Sequence, residues 1–231
     1  MYILVFNYWQ QRRPTMPKVI SIINQKGGSG KTTASTNIAS QLHSEGFNVL
    51  LVDIDPQGSA SNWSAAKGDS DDTFPVIKLD KTLQRDLPRI AKGYDYVIID
   101  GAPQVSELAA VAIRVADVVI IPVQPSPYDV WACADLVDVV KTRQMVTDGQ
   151  PKAAFLISMA MDNTNITAEI KEVIKGYELP VLKHCTHRTV LYAETAKTGE
   201  SVISLKKAGD LHPAALDIKN ITAEIKELLN D

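Results

Sequence analysis

The chain alternates between short continuous runs of apolar residues and longer stretches in which apolar residues recur every three or four positions. The continuous runs are rich in β-branched residues, which is typical of strands buried on both faces, whereas the periodic stretches are typical of amphipathic helices. The runs predict strands at residues 19–23, 48–53, 75–79, 94–100, 117–123, 152–159 and 180–183. The periodic stretches predict helices at residues 32–42, 58–66, 82–91, 105–115, 128–145 and 166–175.

Strands that alternate with helices along a chain form a parallel sheet covered by helices on both faces. We therefore expect a single α/β domain with a mostly parallel, twisted sheet. In such sheets ligands bind beyond the carboxyl ends of the strands. Polar side chains at those ends are the first candidates for a functional site.

Composition agrees with a folded domain of this kind. The chain has 231 residues, of which 45% are hydrophobic and 22% are charged, and its formal net charge is −3. This charge argues against a surface that coats nucleic acid everywhere, but it leaves room for a local basic patch. Cys133 and Cys185 lack the C-x-x-C spacing of a metal or redox site. We therefore expect a reduced, cytoplasmic location.

The first fifteen residues differ from the rest of the chain. The apolar run at residues 1–6 precedes Arg12 and Arg13, is too short to span a membrane and lacks a small-residue cleavage site. We interpret residues 1–15 as a disordered extension or an upstream start-codon artefact, with a membrane or partner anchor as the alternative. The folded domain is expected to cover residues 16–231.

A glycine- and lysine-rich loop joins the first predicted strand to the first predicted helix. It contains Lys26, Gly27, Gly28, Ser29, Gly30, Lys31, Thr32 and Thr33. Glycines allow successive backbone N–H groups to approach phosphate oxygens, and the helix N-terminus adds the positive end of its dipole. Lys31 supplies a cation for the terminal phosphates, and the Thr32 hydroxyl can ligate Mg²⁺. The seven residues at positions 27–33 are therefore predicted to bind a polyphosphate.

The loop departs from the general pattern G-x-x-x-x-G-K-[ST], because Gln25 stands where the first glycine is expected and is followed by Lys26. This K-G-G-x-G-K-T form resembles the deviant Walker A motif of the ParA/MinD superfamily. The resemblance implies a P-loop NTPase fold, ATP and Mg²⁺ as cofactors, and a homodimer that forms on ATP binding. It also implies a role for Lys26, which would reach across the dimer to phosphates held by the partner subunit.

Acidic residues stand where two other strands are predicted to end. Asp53 and Asp55 would share a face if the second strand continued that far, and Asp100 follows four apolar residues. Taken alone, these patterns also fit a turn that begins with Asp-x-Asp-Pro and an ordinary buried strand that ends in aspartate. By resemblance to ParA proteins, Asp55 activates the attacking water, while Asp53 and Asp100 hold Mg²⁺ through water. The predicted catalytic residues are Lys26, Lys31 and Asp55.

A proline-rich segment at residues 119–129 resembles short plasmid-partition ParA proteins related to ParF. Prolines stiffen a turn on which a purine could rest, so Pro122 and Pro125 are predicted beside the adenine. The alternative is that these prolines only form a turn and do not contact a nucleotide.

Residues 187–199 loosely resemble the region in which the ParA family carries basic residues that contact nucleic acid. The resemblance implies DNA contacts by Arg188, Lys183 and Lys197. A solvated basic face that also includes His184 and His187 is an equally good interpretation.

The octapeptide Asn-Ile-Thr-Ala-Glu-Ile-Lys-Glu occurs twice, at residues 165–172 and 220–227. In each copy the asparagine is predicted to cap a helix whose apolar residues lie on one face. A single repeated helix does not make a repeat architecture, so we interpret the copies as two similar packing helices.

Together these features resemble those of a ParA-type ATPase, and the resemblance implies that the chain binds and hydrolyses Mg-ATP, dimerises on ATP and binds DNA non-specifically. It would drive plasmid or chromosome partition with a centromere-binding partner of the ParB or ParG type, and its ATP state would associate with the nucleoid. The main alternative is a MinD-like regulator that cycles on membranes, although the acidic balance of residues 224–231 argues against a basic lipid-binding helix. An iron–sulfur carrier and an ATP-binding scaffold without turnover are less favoured. Two distant cysteines do not suit the first, and Lys31, Thr32 and Asp55 argue against the second.

Overall fold

The computed structural model describes residues 16–68, 73–103, 107–161 and 166–230. Three features of the sequence interpretation lie outside these residues. They are the extension at residues 1–15, the start of the helix predicted at residues 105–115, and Asn165 of the first octapeptide copy.

Strands and helices alternate along the described chain. The strands of the main sheet are β1 (Lys18–Ile22), β2 (Val49–Asp53), β3 (Val76–Lys78), β4 (Tyr96–Asp100), β5 (Val118–Val123) and β6 (Lys152–Ile157). The helices before β6 are α1 (Lys31–Ser44), α2 (Ser59–Lys67), α3 (Leu83–Ile90), α4 (Glu107–Val115), α5 (Pro127–Trp131) and α6 (Ala134–Val146). After β6 come α7 (Ile166–Lys175), α8 (Leu191–Ala196), a 3₁₀ turn (Val202–Ser204), the hairpin strands β7 (Lys206–Lys207) and β8 (Asp210–Leu211), and α9 (Pro213–Leu228).

The six main strands form one parallel sheet in the order β3-β2-β4-β1-β5-β6. Strand β1 lies at the centre, between β4 and β5, so the loop that follows β1 opens where the sheet divides into two halves. Such a switch point is where open α/β sheets bind ligands. The ends of β2 and β4 lie beside it, since Asp53 pairs in register with Asp100 and Asp100 pairs with Ile22.

Two hydrophobic cores cover the two faces of this sheet. Along β1, Val19 belongs to one core, while Ile20 and Ile22 belong to the other, as the alternation of a strand requires. Helices α3 to α7 pack on the first face, and α1, α2 and α9 pack on the second. The predicted α/β domain with helices on both faces of a parallel sheet is confirmed.

Three local predictions are wrong. The helix predicted at residues 128–145 is divided into α5 and α6, because the backbone N–H of Cys133 bonds to the Val130 carbonyl three residues back, which tightens the turn. The strand predicted at residues 180–183 forms only one isolated bridge, at Val181. Just after it, the backbone N–H of Lys183 donates to the Glu224 carboxylate instead of a neighbouring strand.

Asn220 does not cap a helix, because it lies in the middle of α9. That helix begins about two turns earlier than predicted, at Pro213, and His212 caps it by accepting a hydrogen bond from the Ala214 backbone N–H at 3.2 Å. Proline suits the first position of a helix, where its missing N–H is not needed.

Candidate nucleotide-binding site

The loop after β1 is held in shape by side chains from the ends of β5 and β6. Gly28 and Gly30 have φ angles of 74° and 92°, which favour glycine. Gln124 Nε2 donates to the Gly28 carbonyl at 2.8 Å, and Ser158 Oγ donates to the Ser29 carbonyl at 2.7 Å. In a trans peptide the carbonyl and the next N–H point in opposite directions. The two anchored carbonyls therefore fix the orientation of the Ser29 and Gly30 N–H groups.

Lys31 lies at the start of α1 with its side chain folded over the loop. Its Nζ donates to the Lys26 carbonyl at 2.9 Å. Burial lowers the pKa of Lys31, while the carboxylates of Asp100 and Asp55 act in the opposite direction. The Ser29 hydroxyl is buried and has no hydrogen-bond partner in the described chain. A polyphosphate in the loop would supply the acceptor for this hydroxyl and the anion for Lys31.

Asp100 accepts hydrogen bonds from two hydroxyl groups of α1. Thr32 Oγ1 donates to its Oδ2 at 2.8 Å, and Ser35 Oγ donates to its Oδ1 at 2.9 Å. Burial outweighs these hydrogen bonds and raises the pKa of Asp100 to about 7, with a further contribution from the charge of Asp53.

The oxygen donors of Thr32 and Asp100 suit Mg²⁺, which in nucleotide sites takes one or two protein ligands plus water and phosphate oxygens. Among the residues described, no group of three or more His, Cys, Asp or Glu side chains could hold a metal ion. The donor set therefore fits a cation that arrives with a phosphate better than a cation caged by protein.

Asp53 and Asp55 shape the turn that follows β2. Asp53 Oδ1 accepts from the Asp55 backbone N–H at 3.0 Å, and its Oδ2 accepts from the backbone N–H and the hydroxyl of Ser61, both at 2.8 Å. Asp55 lies two residues beyond the strand, where its Oδ1 accepts from the Gln57 backbone N–H at 2.9 Å. Both aspartates are buried, and Asp55 lies close enough to Lys31 to act on its pKa. The proposed water-mediated Mg²⁺ contact of Asp53 stays a prediction, and its oxygens already bind Ser61 and Asp55.

Lys26 forms an ion pair that the sequence interpretation did not include. Its Nζ lies 2.7 Å from Oδ2 of Asp129 in α5, and its backbone N–H donates to Asn24 Oδ1 at 3.0 Å. Asp129 is almost fully buried, whereas the Lys26 side chain is 39% exposed. The position of this acid, two residues after a proline that begins a helix, is the one sequence signal that points to it.

A cavity of about 300 Å³ opens beside the loop, on the side of β6. Its lining includes Gly30, Thr33, Ser158, Thr186, Thr189 and Tyr192. The Tyr192 hydroxyl is buried without a hydrogen-bond partner in the described residues, and burial raises its pKa. A nucleoside attached to phosphates in the loop would fit this space.

Pro122 and Pro125 do not line this cavity. Both are buried, and Pro122 lies within β5, where its carbonyl accepts from Asn24 Nδ2 at 2.6 Å. Their predicted contact with adenine stays a prediction. The cavity is lined instead by the segment after β6, which the sequence interpretation considered only for DNA contacts.

The predicted DNA contacts Arg188, Lys183 and Lys197 are all exposed. The histidines near them are paired with α9, since His187 Nδ1 lies 2.8 Å from Asp217 Oδ2 and His184 contacts Glu224. These carboxylates offset part of the positive charge on this surface.

No helix in the part of the chain that the structure describes is both long and apolar enough to cross a membrane.

Comparison with known proteins agrees with the geometry of the loop. The family described as the CobQ/CobB/MinD/ParA nucleotide binding domain, CbiA, matches residues 20–203. The chain is 29% identical to maintenance of carboxysome distribution protein A of Halothiobacillus neapolitanus over 92% of its length and 94% of that protein. It is 30% identical to the sporulation initiation inhibitor protein Soj of Bacillus subtilis, over 81% and 91% of the two chains. It is 29% identical to chromosome partitioning protein ParA of Myxococcus xanthus, over 82% of each.

Solved structures share the fold. An ATP complex of a Cyanothece McdA variant superposes with a TM-score of 0.76 at 17% identity, covering 94% of this chain and 97% of the other. Cobyrinic acid a,c-diamide synthase of Mycobacterium smegmatis, with bound ADP and magnesium, superposes with a TM-score of 0.65 at 25% identity, covering 78% and 93%. The loop after β1, the acids at the strand ends and the family match agree, and the chain therefore belongs to the CobQ/CobB/MinD/ParA family of nucleotide-binding domains, the ParA/MinD superfamily that its K-G-G-x-G-K-T loop resembles.

Proposed function

We propose that this chain is a ParA-type ATPase that hydrolyses Mg-ATP, dimerises on ATP, binds DNA non-specifically and drives plasmid or chromosome partition with a centromere-binding partner. The observation that carries the proposal is the assembly of Lys31, Thr32, Asp55 and Asp100 around the anchored loop after β1. ATP and Mg²⁺ are proposed because this site suits a polyphosphate with a hard cation, and because ATP, or ADP with magnesium, is bound in the structural neighbours described above.

Hydrolysis at this site needs positioning and charge neutralisation more than covalent chemistry. In the proposed reaction, the loop N–H groups and Lys31 would bind the phosphates. Thr32 and Asp100 would hold Mg²⁺, which would supply charge neutralisation at the phosphate oxygens. Asp55, at the turn after β2, orients the attacking water. Asp53 supports it by fixing the Asp55 backbone at 3.0 Å.

Dimerisation gives Lys26 its proposed role. A cation that reaches the phosphates only from a second copy makes hydrolysis depend on assembly. Lys26 suits this role because it bonds to Asp129 in the described chain and leaves its own phosphate site to Lys31.

The test is ATP hydrolysis measured with and without DNA, in the presence of the protein encoded immediately downstream. We expect a low basal rate that rises when both are added. Lys31→Ala should abolish nucleotide binding or turnover, and exposed Lys92→Ala is the matched control. Unchanged activity of the Lys31 variant would refute the assignment of the loop.

A second candidate is the same ATPase cycle applied to carboxysomes. It is favoured by the 29% identity to carboxysome distribution protein A along nearly the whole of both chains. The two candidates differ in cargo, so they are separated by whether the downstream partner binds a specific DNA site or a carboxysome component.

A MinD-like membrane cycle has less support. The apolar face of α9 is packed into the core through Ile218, Ile221 and Ile225, so it is not available to lipid. Sedimentation of the ATP-bound protein with anionic vesicles but not with DNA would reverse this choice.

A further inference from the structure

Cys185, His187 and Asp217 form a chain of hydrogen bonds between the segment after β6 and helix α9. Cys185 Sγ lies 3.8 Å from His187 Nε2, and His187 Nδ1 lies 2.8 Å from Asp217 Oδ2. A thiol, an imidazole and a carboxylate in this order are the arrangement in which a base activates a nucleophile and an acid orients the base. The proposed ATP hydrolysis uses none of these three residues. We call them the thiol cluster.

The backbone after β6 places the thiol and the imidazole side by side. The Thr186 backbone N–H donates to the Ile157 carbonyl at 3.1 Å. His187 forms an isolated parallel bridge with Ala160. The segment is therefore extended beside the end of β6, and alternate residues of an extended chain share a face. Cys185 and His187 lie on one face, while Thr186 between them is buried.

Asp217 determines which nitrogen of His187 is available to the thiol. An ionised carboxylate only accepts hydrogen bonds, so this contact places the ring proton on Nδ1. In the neutral ring, Nε2 is then an acceptor, and it lies beside Cys185 Sγ. Transfer of the thiol proton to Nε2 gives a thiolate next to an imidazolium, and Asp217 stabilises the positive charge.

The two cysteines of the chain differ in their surroundings. Cys133 is fully buried, its thiol donates to the Asp129 carbonyl at 3.2 Å, and burial raises its pKa to about 11. Cys185 is only partly buried. The thiolate, not the thiol, is the form that attacks an oxidant. Cys133 is therefore an internal reference for an unreactive thiol.

The cluster has room for a small reagent beside it. A cavity of about 260 Å³ is lined by His187 and Asp217, which is several times the roughly 30 Å³ that a water molecule occupies in the liquid. A small hydroperoxide fits this space.

Other titratable groups near the cluster have different partners. They are His184 with Glu224, His212, Arg188 and Tyr192. His184 Nδ1 contacts the Glu224 carboxylate, and His212 Nδ1 accepts from the Ala214 backbone N–H. Burial, followed by the charges of Asp217 and Cys185, raises the pKa of Tyr192. His187 is the histidine whose Nε2 contacts the thiol, and it is therefore the candidate base.

We propose that Cys185 is a reactive thiol that hydrogen peroxide and other small hydroperoxides oxidise to a sulfenic acid, with His187 as its base and Asp217 as the residue that positions His187. The Cys185 proton passes to His187 Nε2, and the thiolate attacks one oxygen of hydrogen peroxide. The S–O bond forms as the O–O bond breaks, so the sulfur is oxidised and the peroxide is reduced. The leaving hydroxide takes the proton from His187 and departs as water.

The first test follows oxidation of both cysteines of the full chain by hydrogen peroxide. Dimedone traps the sulfenic acid, and peptide mass spectrometry assigns each adduct to Cys185 or Cys133. At about pH 6.5 we expect Cys185 to react at least about tenfold faster than Cys133. In about 6 M guanidinium chloride, which removes the folded surroundings, the two rates should agree within about twofold.

The second test removes the base. His187→Ala is expected to lower the rate at Cys185 at least about tenfold at about pH 6.5. His184→Ala is the matched control, because it removes the neighbouring histidine that contacts Glu224, and it should change the rate by less than about twofold. At about pH 10 a thiol ionises without a base, so the difference between His187→Ala and wild type should disappear.

Asp217→Asn tests the positioning of His187 in a variant of nearly unchanged shape. We expect it to lower the rate at Cys185 at least about threefold at about pH 6.5 and to have no effect at about pH 10. A loss that persists at high pH would mean that Asp217 only holds α9 against the segment after β6, which would overturn its proposed role.

Three further results would overturn the inference. The first is a folded wild-type protein in which Cys185 reacts no faster than Cys133. The second is a pH profile of His187→Ala that coincides with that of wild type. The third is an equal loss of rate in His184→Ala, which would indicate a general change in the segment. Because these measurements do not involve ATP, their outcome is independent of the proposed function.

Discussion

Asp100 shows how one residue serves two opposing requirements. Its position at the end of β4 is needed to face Thr32, but that position is buried and raises its pKa from 3.8 to about 7. The ionised form that suits a cation is therefore unfavourable in the protein without ligands. Binding of Mg²⁺ with a phosphate would supply the missing counter-charge.

This pKa predicts a pH dependence of stability. The folded protein binds the Asp100 proton more tightly than the unfolded chain does, so this group costs no stability below pH 3.8 and a growing amount as pH rises to about 7. We expect Asp100→Asn to remove that part of the dependence. Urea unfolding should show the variant gaining stability relative to wild type at about pH 8 compared with about pH 5. Parallel pH profiles of the two proteins would contradict this.

The role proposed for Asp55 predicts that its replacement slows hydrolysis without weakening nucleotide binding. Asp55→Ala removes the group that we assign to the attacking water and leaves the loop and Lys31 intact. We expect nucleotide affinity to change little and single-turnover hydrolysis to slow by at least about 10²-fold. Normal turnover would mean that the water is activated by another residue.

At the scale of elements, the sequence was sufficient to predict where a residue lies when the pattern that indicates it is local. Four features each follow an apolar run and lie at the predicted carboxyl edge of the sheet. They are the loop after β1, Asp53, Asp55 and Asp100. The pairing of Lys26 with Asp129 was not predictable in this way, because the two residues are 103 positions apart and meet only since β5 lies beside β1.

The two octapeptide copies illustrate the same limit. Residues 166–172 and 221–227 are identical and both helical, but the second copy continues a helix that began at Pro213. Its capping asparagine thus became an interior residue. The local pattern predicted the helix correctly, and the preceding residues determined where it begins.

The packing of α9 predicts which of its residues contribute to the free energy of unfolding. Ile221 is buried in the core that also contains Ile38 and Leu42 of α1, whereas Leu216 of the same helix is 46% exposed. Ile221→Ala should lower the free energy of unfolding by about 2–5 kcal/mol, because it leaves a cavity. Leu216→Ala, the control, should change it by about 0.5 kcal/mol or less. Equal effects in urea unfolding would contradict this packing.

At the scale of the whole molecule, a net charge of −3 means that the proposed DNA binding requires a local basic surface. Arg188 is exposed at the edge of the candidate nucleoside cavity, on the nucleotide side of the sheet. Arg188→Glu is expected to weaken DNA binding and reduce its salt dependence. Lys92→Glu makes the same change in charge near the start of β4, at the opposite edge. Equal loss of DNA affinity in both variants would indicate that the effect arises from net charge alone. No loss in the Arg188 variant would indicate that DNA binds at another surface.

The hydrogen bonds from Gln124 and Ser158 to the loop after β1 affect how quickly an empty site can be refilled. A site whose shape exists before its ligand arrives needs no folding step on binding, so refilling is limited by collision. With an association rate constant of about 10⁶ M⁻¹s⁻¹ and about 1 mM ATP, an empty site waits roughly a millisecond. In the proposed cycle, refilling is therefore brief, and the interval between successive rounds is set by hydrolysis and separation of the subunits.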